Sequence, residues 1–373
     1  MMKVLFIARG PSPYRVAFFN ELGKLCELTV LFELHPDEIN DRDKTWGKED
    51  YQYFKAIYLK KTLKIKNDNL CINIIKYLSV NKFDRIIVGM YSTPTQMLAI
   101  AYLKLMKIPY ALNSDGGFVK NDSFVQGIIK RFFISGAKLY FASSKGTEKY
   151  LRNYGAATEV SIYPFTTKLE KELPQTILSI EQKTELRKKL GLPVDKKIVI
   201  SVGQFIHRKG FDTLIKAAAK LDASYYFLCI GGKETEQYKE LRKQYELDNF
   251  QFLEFMHQGL LSEYYSASDV FALPTREDIW GLVINEAMSF GLPVITTDNC
   301  LAGTELVQDG INGYIVPVDN IEEIAKSIEK VFMSKERYAA MQKNNHEKML
   351  NHYTIEKMAL AHYEALITSE RTI

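Results

Sequence analysis

Residues Pro274–Pro293 read PTREDIWGLVINEAMSFGLP, and this stretch is the part of the chain that best indicates the fold. A short apolar run, Val270–Leu273, precedes it and predicts a buried strand. An acidic loop then leads into a helix that begins near Gly281. A helix N-terminus presents unpaired N–H groups and a partial positive charge, so it can bind an anion. The stretch therefore predicts a strand, a loop and a helix, with an anion site at the amides of Gly281, Leu282 and Val283.

Glu286 lies among the apolar residues of this predicted helix, where a carboxylate is costly unless it is hydrogen-bonded. Two explanations are open. The carboxylate could bind hydroxyl groups of a ligand, or it could pair with a structural Arg or Lys while the loop acids are merely solvated. An anion site beside a carboxylate that binds hydroxyls would suit a nucleotide-sugar.

The spacing of the two carboxylates Asp278 and Glu286 resembles a known family signature. Seven residues separate them, and they bracket the core Trp280-Gly281-Leu282-Val283. The pattern resembles that of family 4 glycosyltransferases, which are retaining enzymes of the GT-B fold. The resemblance implies that Glu286 binds the ribose hydroxyls of a donor and that Asp278 holds hydroxyls of its sugar. Where the family has Glu, this chain has the shorter Asp278; Glu277 could compensate, and the donor sugar stays open.

A second motif, Gly203–Gly210, reads GQFIHRKG and follows another apolar run. The resemblance implies that this loop grips the donor diphosphate with two cations. Gln204 occupies the position of the family's Arg, and Arg208 beside Lys209 is interpreted as supplying the displaced charge. Two cations suit a diphosphate leaving group because they oppose charge that grows in the transition state. The alternative is a pair of solvated charges after a strand. Downstream, Ala302–Glu305 resembles the family's Gly-rich loop beside the phosphates.

The first half of the chain opens with a continuous apolar run, Lys3–Ala8, as in a strand covered on both faces. The following loop lacks the Gly-x-Gly-x-x-Gly fingerprint of dinucleotide-binding proteins. In the family this loop faces the acceptor or the donor phosphates, and Arg15 is the candidate residue there. Asp115, after a later strand, could position the acceptor or the donor. The competing explanation for Asp115 is an Asx-turn before two glycines.

Apolar residues recur at helical spacing between Phe124 and Phe133, with Lys130 and Arg131 beside them. Such a stripe usually faces the core, which is the expectation here. The basic flank leaves a helix in a membrane interface as the alternative. Asp41 and Asp43 form an Asp-x-Asp pattern that binds metal in the other large glycosyltransferase fold. Without a preceding apolar strand, they are interpreted as part of a solvated loop.

The length and composition of the chain limit the kinds of protein that it can be. A chain of 373 residues exceeds the roughly 250 to 300 residues of a single core, so two domains are expected. No apolar run reaches the roughly 20 residues that span a bilayer, and the N-terminus fits a first strand better than a secretory signal. The 4 cysteines and 6 histidines are scattered. They predict reduced thiols in a cytoplasmic compartment and no metal site.

The net charge of +4 conceals an asymmetry. Between Lys55 and Arg152 there are 17 Lys and Arg against 5 Asp and Glu, so the rest of the chain is acidic. A basic first half predicts a surface that meets anions. Since no nucleic-acid motif accompanies it, an anionic membrane face or a phosphorylated acceptor is favoured as the partner. The alternative is a solvated face without any partner.

These observations predict an α/β protein with two Rossmann-like, doubly wound domains that face each other across a cleft, which is the GT-B architecture. The expected domains are an acceptor-binding domain (1–165), a nucleotide-sugar-binding domain (166–352) and a helix that crosses back to the first (353–373). The implied function is retaining transfer of a hexose-type sugar from a nucleotide diphosphate donor, with a UDP-sugar favoured. The acceptor would be a glycan or a lipid-linked group in cell-surface polysaccharide synthesis.

No metal or other cofactor is expected, and the site of action would be the cytoplasm or the inner face of the plasma membrane. Three alternatives are a nucleotide-sugar 2-epimerase of the same fold, a periplasmic-type sugar-binding protein that would need an export signal, and a non-catalytic lectin-like protein. The candidate catalytic residues are Asp278, Glu286, Lys209, Arg208 and Asp115. The candidate donor-binding residues are Gly203, Arg208, Lys209, Asp278, Gly281, Leu282, Val283 and Glu286, and the candidate acceptor-binding residues are Arg15 and Asp115.

Overall fold

The computed structural model describes residues 1–38, 51–79 and 82–369, which form two compact units. The first unit comprises Met1–Glu170 together with Tyr353–Ile373, and the second comprises Lys171–His352. The Asp-x-Asp pattern at Asp41 and Asp43 lies outside the described residues.

A seven-stranded parallel sheet forms the centre of the first unit, in the order β3-β2-β1-β6-β7-β8-β9. The order reverses between β1 and β6, and in a doubly wound sheet this switch point is where a ligand crevice opens at the strands' carboxyl ends. A short antiparallel hairpin, β4-β5, stands apart from the sheet. The elements are β1 (Lys3–Ala8), α1 (Pro13–Leu25), β2 (Glu27–Phe32), β3 (Phe54–Tyr58), β4 (Leu63–Ile65), β5 (Asp68–Leu70), β6 (Arg85–Val88), α2 (Pro94–Leu105), β7 (Ala111–Ser114), α3 (Phe124–Ile134), β8 (Leu139–Ala142), α4 (Lys145–Asn153) and β9 (Glu159–Ile162).

The second unit repeats this architecture with a six-stranded parallel sheet in the order β12-β11-β10-β13-β14-β15. Its switch point lies between β10 and β13. The elements are α5 (Ile180–Leu190), β10 (Lys197–Val202), α6 (Phe211–Ala218), β11 (Tyr225–Ile230), α7 (Glu236–Gln244), β12 (Phe250–Leu253), α8 (Gln258–Ala267), β13 (Val270–Leu273), α9 (Leu282–Ser289), β14 (Val294–Thr297), α10 (Leu301–Leu306), β15 (Gly313–Val316), α11 (Ile321–Val331) and α12 (Lys335–His352).

The central strands β1 and β10 are buried along all but their first residue, as the continuous apolar runs predicted. A parallel sheet with helices on both faces leaves no strand face for water, so its strands lack polar alternation. The strand expected before Asp115 is β7, Ala111–Ser114. Asp115 therefore lies at the carboxyl end of β7, at the edge of the sheet where a crevice opens.

Helix α3 contradicts the expected packing of its apolar stripe. Phe124 is 84% exposed and Ile128 is 52% exposed, whereas only Ile134 of this helix is buried. The prediction that the stripe faces the core is therefore wrong. Periodicity shows that a helix has an apolar face, but it does not show which way that face is directed.

The last helix, α13 (Ile355–Thr368), belongs to the first unit and packs against α1. His362 of α13 lies 4.8 Å from Phe18 of α1, measured between ring centroids. The guanidinium of Arg85 donates to the carbonyl of Leu366 over 3.1 Å. All four cysteines are free and buried. Within the described ranges, no helix is both long enough and apolar enough to cross a bilayer.

Candidate functional site

Two loops of the second unit meet at its switch point, one after β10 and the other after β13. The first contains a short 3₁₀ turn, His207–Lys209, which ends at Gly210 in the left-handed region with φ of 69°. A Cβ at Gly210 would lie 2.0 Å from the carbonyl oxygen of Pro274, so only glycine allows this approach. The amide of Arg276 donates to the carbonyl of Arg208 over 2.8 Å and ties the loops together.

The two predicted cations converge on the predicted carboxylate. Lys209 Nζ forms an ion pair with Asp278 Oδ2, and Arg208 Nη1 lies 3.6 Å from Asp278 Oδ1. The side chains of Lys209 and Asp278 are only 12% and 13% exposed. A carboxylate so deeply buried needs a compensating charge, and here two cations provide it. The structure thus brings Arg208, Lys209 and Asp278 together, although 69 positions separate Lys209 from Asp278.

Arg276, which the sequence did not single out, clamps the same loops. Its guanidinium contacts both carboxylate oxygens of Asp212, at 2.9 and 2.7 Å, and Asp319 Oδ2 at 3.0 Å. It also donates to the carbonyl of His207 over 2.6 Å. Partial burial is the largest influence on the pKa of Asp212 and acts to raise it, but the hydrogen bonds from Arg276, its charge and smaller favourable contributions together lower the pKa below its usual value. Arg276 therefore fixes the turn that carries the two cations.

The backbone of Asp278 is held on both sides by the loop before α10. Its N–H donates to the carbonyl of Asn299 over 3.0 Å, and its carbonyl accepts from the amide of Leu301 over 3.1 Å. Ala302–Glu305, interpreted from the resemblance as a Gly-rich loop, lies within helix α10 instead. The glycine serves packing there, because a Cβ at Gly303 would lie 2.4 Å from the side chain of Thr296.

Helix α9 begins beside this charge cluster. Its N-cap, Gly281, adopts a left-handed φ of 95° and has no side chain with which to cap the helix. A Cβ at Gly281 would lie 3.0 Å from the sulfur of Cys300, a close approach that again favours glycine. Leu282 and Val283 follow as the first helical residues and are half-buried. The amides at this helix end point in the direction that an anion requires.

Glu286 lies one turn further along α9 and is half-buried. Its Oε2 accepts a hydrogen bond from the hydroxyl of Tyr265 on α8 over 3.2 Å. Burial, and then the charge of Glu286, raise the pKa of Tyr265 well above its usual value, so the hydroxyl stays protonated as a donor. Sequence reasoning missed Tyr265, because it lies 21 positions away and carries no motif.

The first unit brings its two candidate residues together, Arg15 from the first turn of α1 and Asp115 from directly after β7. Arg15 Nη2 forms an ion pair with Asp115 Oδ2. Asp115 Oδ1 also accepts from the hydroxyl of Tyr163 over 2.8 Å and from the amide of Asn113 over 2.9 Å. These bonds make Asp115 part of a side-chain network. Arg15 is only 8% exposed, and its Nη1 has no hydrogen-bond partner within the described part of the chain.

His362, on the last helix α13, is also part of this network. The sequence did not indicate a functional role for it. Its Nε2 lies 3.1 Å from Asn113 Oδ1, its Nδ1 lies 2.8 Å from the carbonyl of Met358, and its ring stacks on Phe141. Burial lowers the pKa of His362 to about 3, so the ring is neutral near pH 7. Its position is fixed by tertiary packing, since 249 positions separate it from Asn113.

Comparison with known proteins shows a family relationship for the second unit. Residues 182–348 match the sequence model of the family described as glycosyl transferases group 1. An uncharacterized glycosyltransferase of Haemophilus influenzae is 32% identical over 221 residues, which are 56% of this chain and 62% of that protein. The lipopolysaccharide core biosynthesis glycosyltransferase LpsE of Rhizobium meliloti is 29% identical over 182 residues, which are 48% of this chain and 52% of LpsE. The chain thus spans about half to three fifths of the length of these curated relatives.

Solved structures are similar over nearly the whole chain. Anabaena HepE in complex with UDP has a TM-score of 0.76 at 17% identity, covering 98% of this chain and 100% of HepE. A sucrose-phosphate synthase from Thermosynechococcus elongatus has a TM-score of 0.72 at 20% identity, covering 99% of this chain and 100% of the synthase. At such identities the similarity concerns the fold alone, and it confirms the predicted GT-B architecture. The resemblance to family 4 glycosyltransferases is likewise confirmed.

Proposed function

We propose that this chain, whose residues 182–348 match the model of the group 1 glycosyl transferases, is a retaining glycosyltransferase that transfers a hexose-type sugar from a UDP-sugar. Its acceptor would be a glycan or a lipid-linked group in the synthesis of cell-surface polysaccharide. The names of relatives support this class of product: LpsE is named as a lipopolysaccharide core biosynthesis glycosyltransferase, and the name of TuaC of Bacillus subtilis refers to teichuronic acid biosynthesis. The donor class is supported by HepE, which was solved with UDP and with UDP-glucose.

The observation that carries the proposal is the convergence of Arg208, Lys209 and Asp278 beside the N-terminus of α9. A nucleoside diphosphate presents two adjacent anionic groups, and this position offers two cations and a helix end. In the proposed complex, Lys209 and Arg208 exchange the Asp278 carboxylate for the diphosphate oxygens. Asp278 would then be released to accept hydrogen bonds from hydroxyls of the donor sugar.

Glu286 is proposed to bind the ribose of the donor. Its Oε2 already accepts from Tyr265, which fixes the carboxylate, and a carboxylate can accept several hydrogen bonds at once, including those from ligand hydroxyls. A nucleotide with its phosphates at the tip of α9 would place the ribose within a turn of that tip. Glu286, one turn into the helix, suits that distance.

In the proposed reaction the bond between the anomeric carbon and the leaving phosphate oxygen breaks. The acceptor oxygen then bonds to that carbon on the same face of the sugar. The acceptor's proton passes to the leaving phosphate, so no separate catalytic base is required. Arg208 and Lys209 oppose the charge that accumulates on the diphosphate, which is the electrostatic task of a metal ion in other enzymes. We therefore expect transfer to continue at an unchanged rate in the presence of EDTA.

For the acceptor we propose the network around Arg15 and Asp115. The buried Nη1 of Arg15 lacks a partner within the described ranges, and an unpaired buried donor is costly. An acceptor oxygen would satisfy it. Asp115, fixed by Tyr163 and Asn113, would accept from a hydroxyl of the same group.

Release of UDP from a panel of UDP-sugars, with glycan extracts as acceptors, tests the proposal. Lys209→Ala should lower turnover by roughly two to three orders of magnitude, as for the loss of an oxyanion contact, and Glu286→Ala should abolish it. Lys189→Ala is the matched control, because Lys189 forms its ion pair with Glu263 at the surface of the same unit. Near-normal turnover in either of the first two variants would refute the assignment. Incubating the donor without acceptor distinguishes a 2-epimerase, which would yield an epimer.

A further inference from the structure

One surface of the first unit is unlike the rest of the molecule. On helix α3 the side chains of Phe124, Ile128 and Phe132 recur every four residues, and Val125 and Ile129 form the neighbouring row. All five are exposed, by 46% to 84%. We call these five residues the α3 face. An exposed, contiguous row of five large apolar side chains on a folded domain usually marks a binding surface.

The opposite side of α3 fixes the helix to the unit. Ile134 is buried and Phe133 packs on the hydrophobic core. Lys130 Nζ bonds to Asp122 at 2.8 Å and lies 4.9 Å from the centre of the Tyr154 ring. These contacts of Ile134, Phe133 and Lys130 hold the helix so that the α3 face is directed outwards.

The helix begins with a capping box, in which Ser123 and Gln126 satisfy each other's backbone amides. This cap holds the start of the helix in place where Phe124, the most exposed residue of the α3 face, projects. The helix is thus formed and oriented before any partner binds, which reduces the entropy that binding must overcome.

The end of helix α2 extends the apolar surface. Lys104 Nζ joins the two helices, because it donates to the carbonyl of Ser135 over 3.3 Å and lies 4.4 Å from the centre of the Phe132 ring. The next two residues, Leu105 and Met106, are exposed by 78% and 54%. Seven large apolar side chains are therefore exposed on two adjoining helix segments.

The segment of chain that carries this surface is basic. Between positions 104 and 138 there are six Lys and Arg and only two acidic residues. Both acids are already paired, Asp122 with Lys130 and Asp115 with Arg15. Arg131 is exposed on the helix itself. An apolar helix face with basic residues beside it complements a bilayer whose headgroups are anionic.

We propose that the α3 face binds the surface of an anionic membrane, with helix α3 lying in the plane of the interface. Its apolar side chains would enter the boundary between headgroups and acyl chains, while the neighbouring Lys and Arg contact the lipid phosphates. This inference does not depend on the proposed transfer reaction, because lipid binding is measured without a donor. Either proposal can fail while the other stands.

Co-sedimentation of the full chain with lipid vesicles tests the inference. The protein should bind vesicles that contain 30% phosphatidylglycerol far better than vesicles of phosphatidylcholine alone, and binding should weaken between roughly 0.1 and 1 M salt, as the Debye length falls from about 10 to about 3 Å. Phe124→Asp and Ile128→Asp should each lower the partition coefficient by at least about tenfold, since each removes a large apolar side chain from the interface.

A matched control shows whether a loss of binding comes from the α3 face itself or only from the negative charge that the Asp substitutions add. Ile180 is the first residue of α5, is 82% exposed and follows a Ser-Gln capping box like that before Phe124. Ile180→Asp should therefore bind vesicles as the wild type does. The uncharged variant Ile128→Ser should also lose binding, and melting temperatures should show that every variant is folded.

Two results would overturn the inference. The first is an absence of vesicle binding, and the second is binding that Phe124→Asp and Ile128→Asp leave unchanged. If vesicles are not bound and size-exclusion chromatography shows a dimer that dissociates in Phe124→Asp, the α3 face binds a second copy of the chain instead.

Discussion

Replacement of Asp278 by Asn tests whether the cations of the second unit exchange partners when a nucleotide binds. Asp278 Oδ2 is ion-paired with Lys209, and its Oδ1 lies 3.6 Å from Arg208 Nη1. Asn keeps the shape of the side chain but removes its negative charge. We expect Asp278→Asn to bind UDP more tightly than the wild type and to transfer sugar far more slowly.

The magnitude follows from the geometry. Two unit charges at 3.6 Å attract each other by about 5 kcal/mol at an effective dielectric constant of roughly 20. Most of this attraction is regained when the freed cations meet water, so a net gain of about 1 to 2 kcal/mol in UDP binding is reasonable. That gain corresponds to an affinity roughly 5- to 30-fold higher. The unliganded variant should also be less stable by about 1 to 3 kcal/mol, because Lys209 loses its partner while largely buried.

Isothermal titration with UDP measures the affinity, and urea unfolding measures the stability. Asp212→Asn is the matched control, since Asp212 is an equally buried carboxylate that pairs with Arg276. It should lose stability without gaining affinity for UDP. Weaker UDP binding in Asp278→Asn than in the wild type would refute the exchange of partners, and the donor site would have to be placed elsewhere.

Three further outcomes are expected. Tyr265→Phe removes one hydrogen bond to Glu286 and should raise the KM for donor roughly 3- to 10-fold with little change in kcat, as measured by initial rates. Gly210→Ala should lower the free energy of unfolding, measured in urea, by more than about 1 kcal/mol, because its φ is positive and the new Cβ would clash with the carbonyl of Pro274. Gly127→Ala should instead raise it by up to about 1 kcal/mol, because Gly127 lies within α3 and a Cβ there meets no neighbouring atom. Burial raises the pKa of Glu33 from 4.5 to about 7, against hydrogen bonds from Gln96 and Thr93 that lower it. As the pH rises, the folded state therefore keeps this proton longer than the unfolded state does. The contribution of Glu33 to the free energy of unfolding is full below about pH 4.5 and falls by about 3 kcal/mol as the pH rises to 7. Glu33→Gln should remove this fall, which is measured by comparing urea unfolding of the variant and the wild type across that pH range.

Many of the buried strands of both units could be predicted from the sequence to within a few residues, although strands such as β3, β9 and β15 were missed. The runs Lys3–Ala8 and Val270–Leu273 form strands with those same bounds. A buried parallel strand needs only a short continuous apolar segment, which is a property of neighbouring residues. The spacing of Asp278 and Glu286 was visible for the same reason, because loop and helix follow each other directly along the chain.

The partners of these residues could not be predicted. Arg276, Tyr265 and His362 hold the proposed sites together, yet the sequence assigned a role to none of them, although Arg276 lies within the quoted stretch Pro274–Pro293. Each contacts a residue from a distant part of the sequence, and such contacts form only when the sheet aligns the carboxyl ends of its strands. The pairing of Arg15 with Asp115, 100 positions apart, has the same origin.

The sequence by itself determined the central strands of each unit, and which family pattern the second unit carries, because both depend on local order and spacing. Only the tertiary structure decided that Lys209 and Arg208 contact Asp278 and that the apolar side of α3 faces outwards. The physical reason is that periodicity gives each helix an apolar side, whereas the direction of that side depends on which contacts anchor the helix. For α3 those contacts are Ile134, Phe133 and the pair of Lys130 with Asp122.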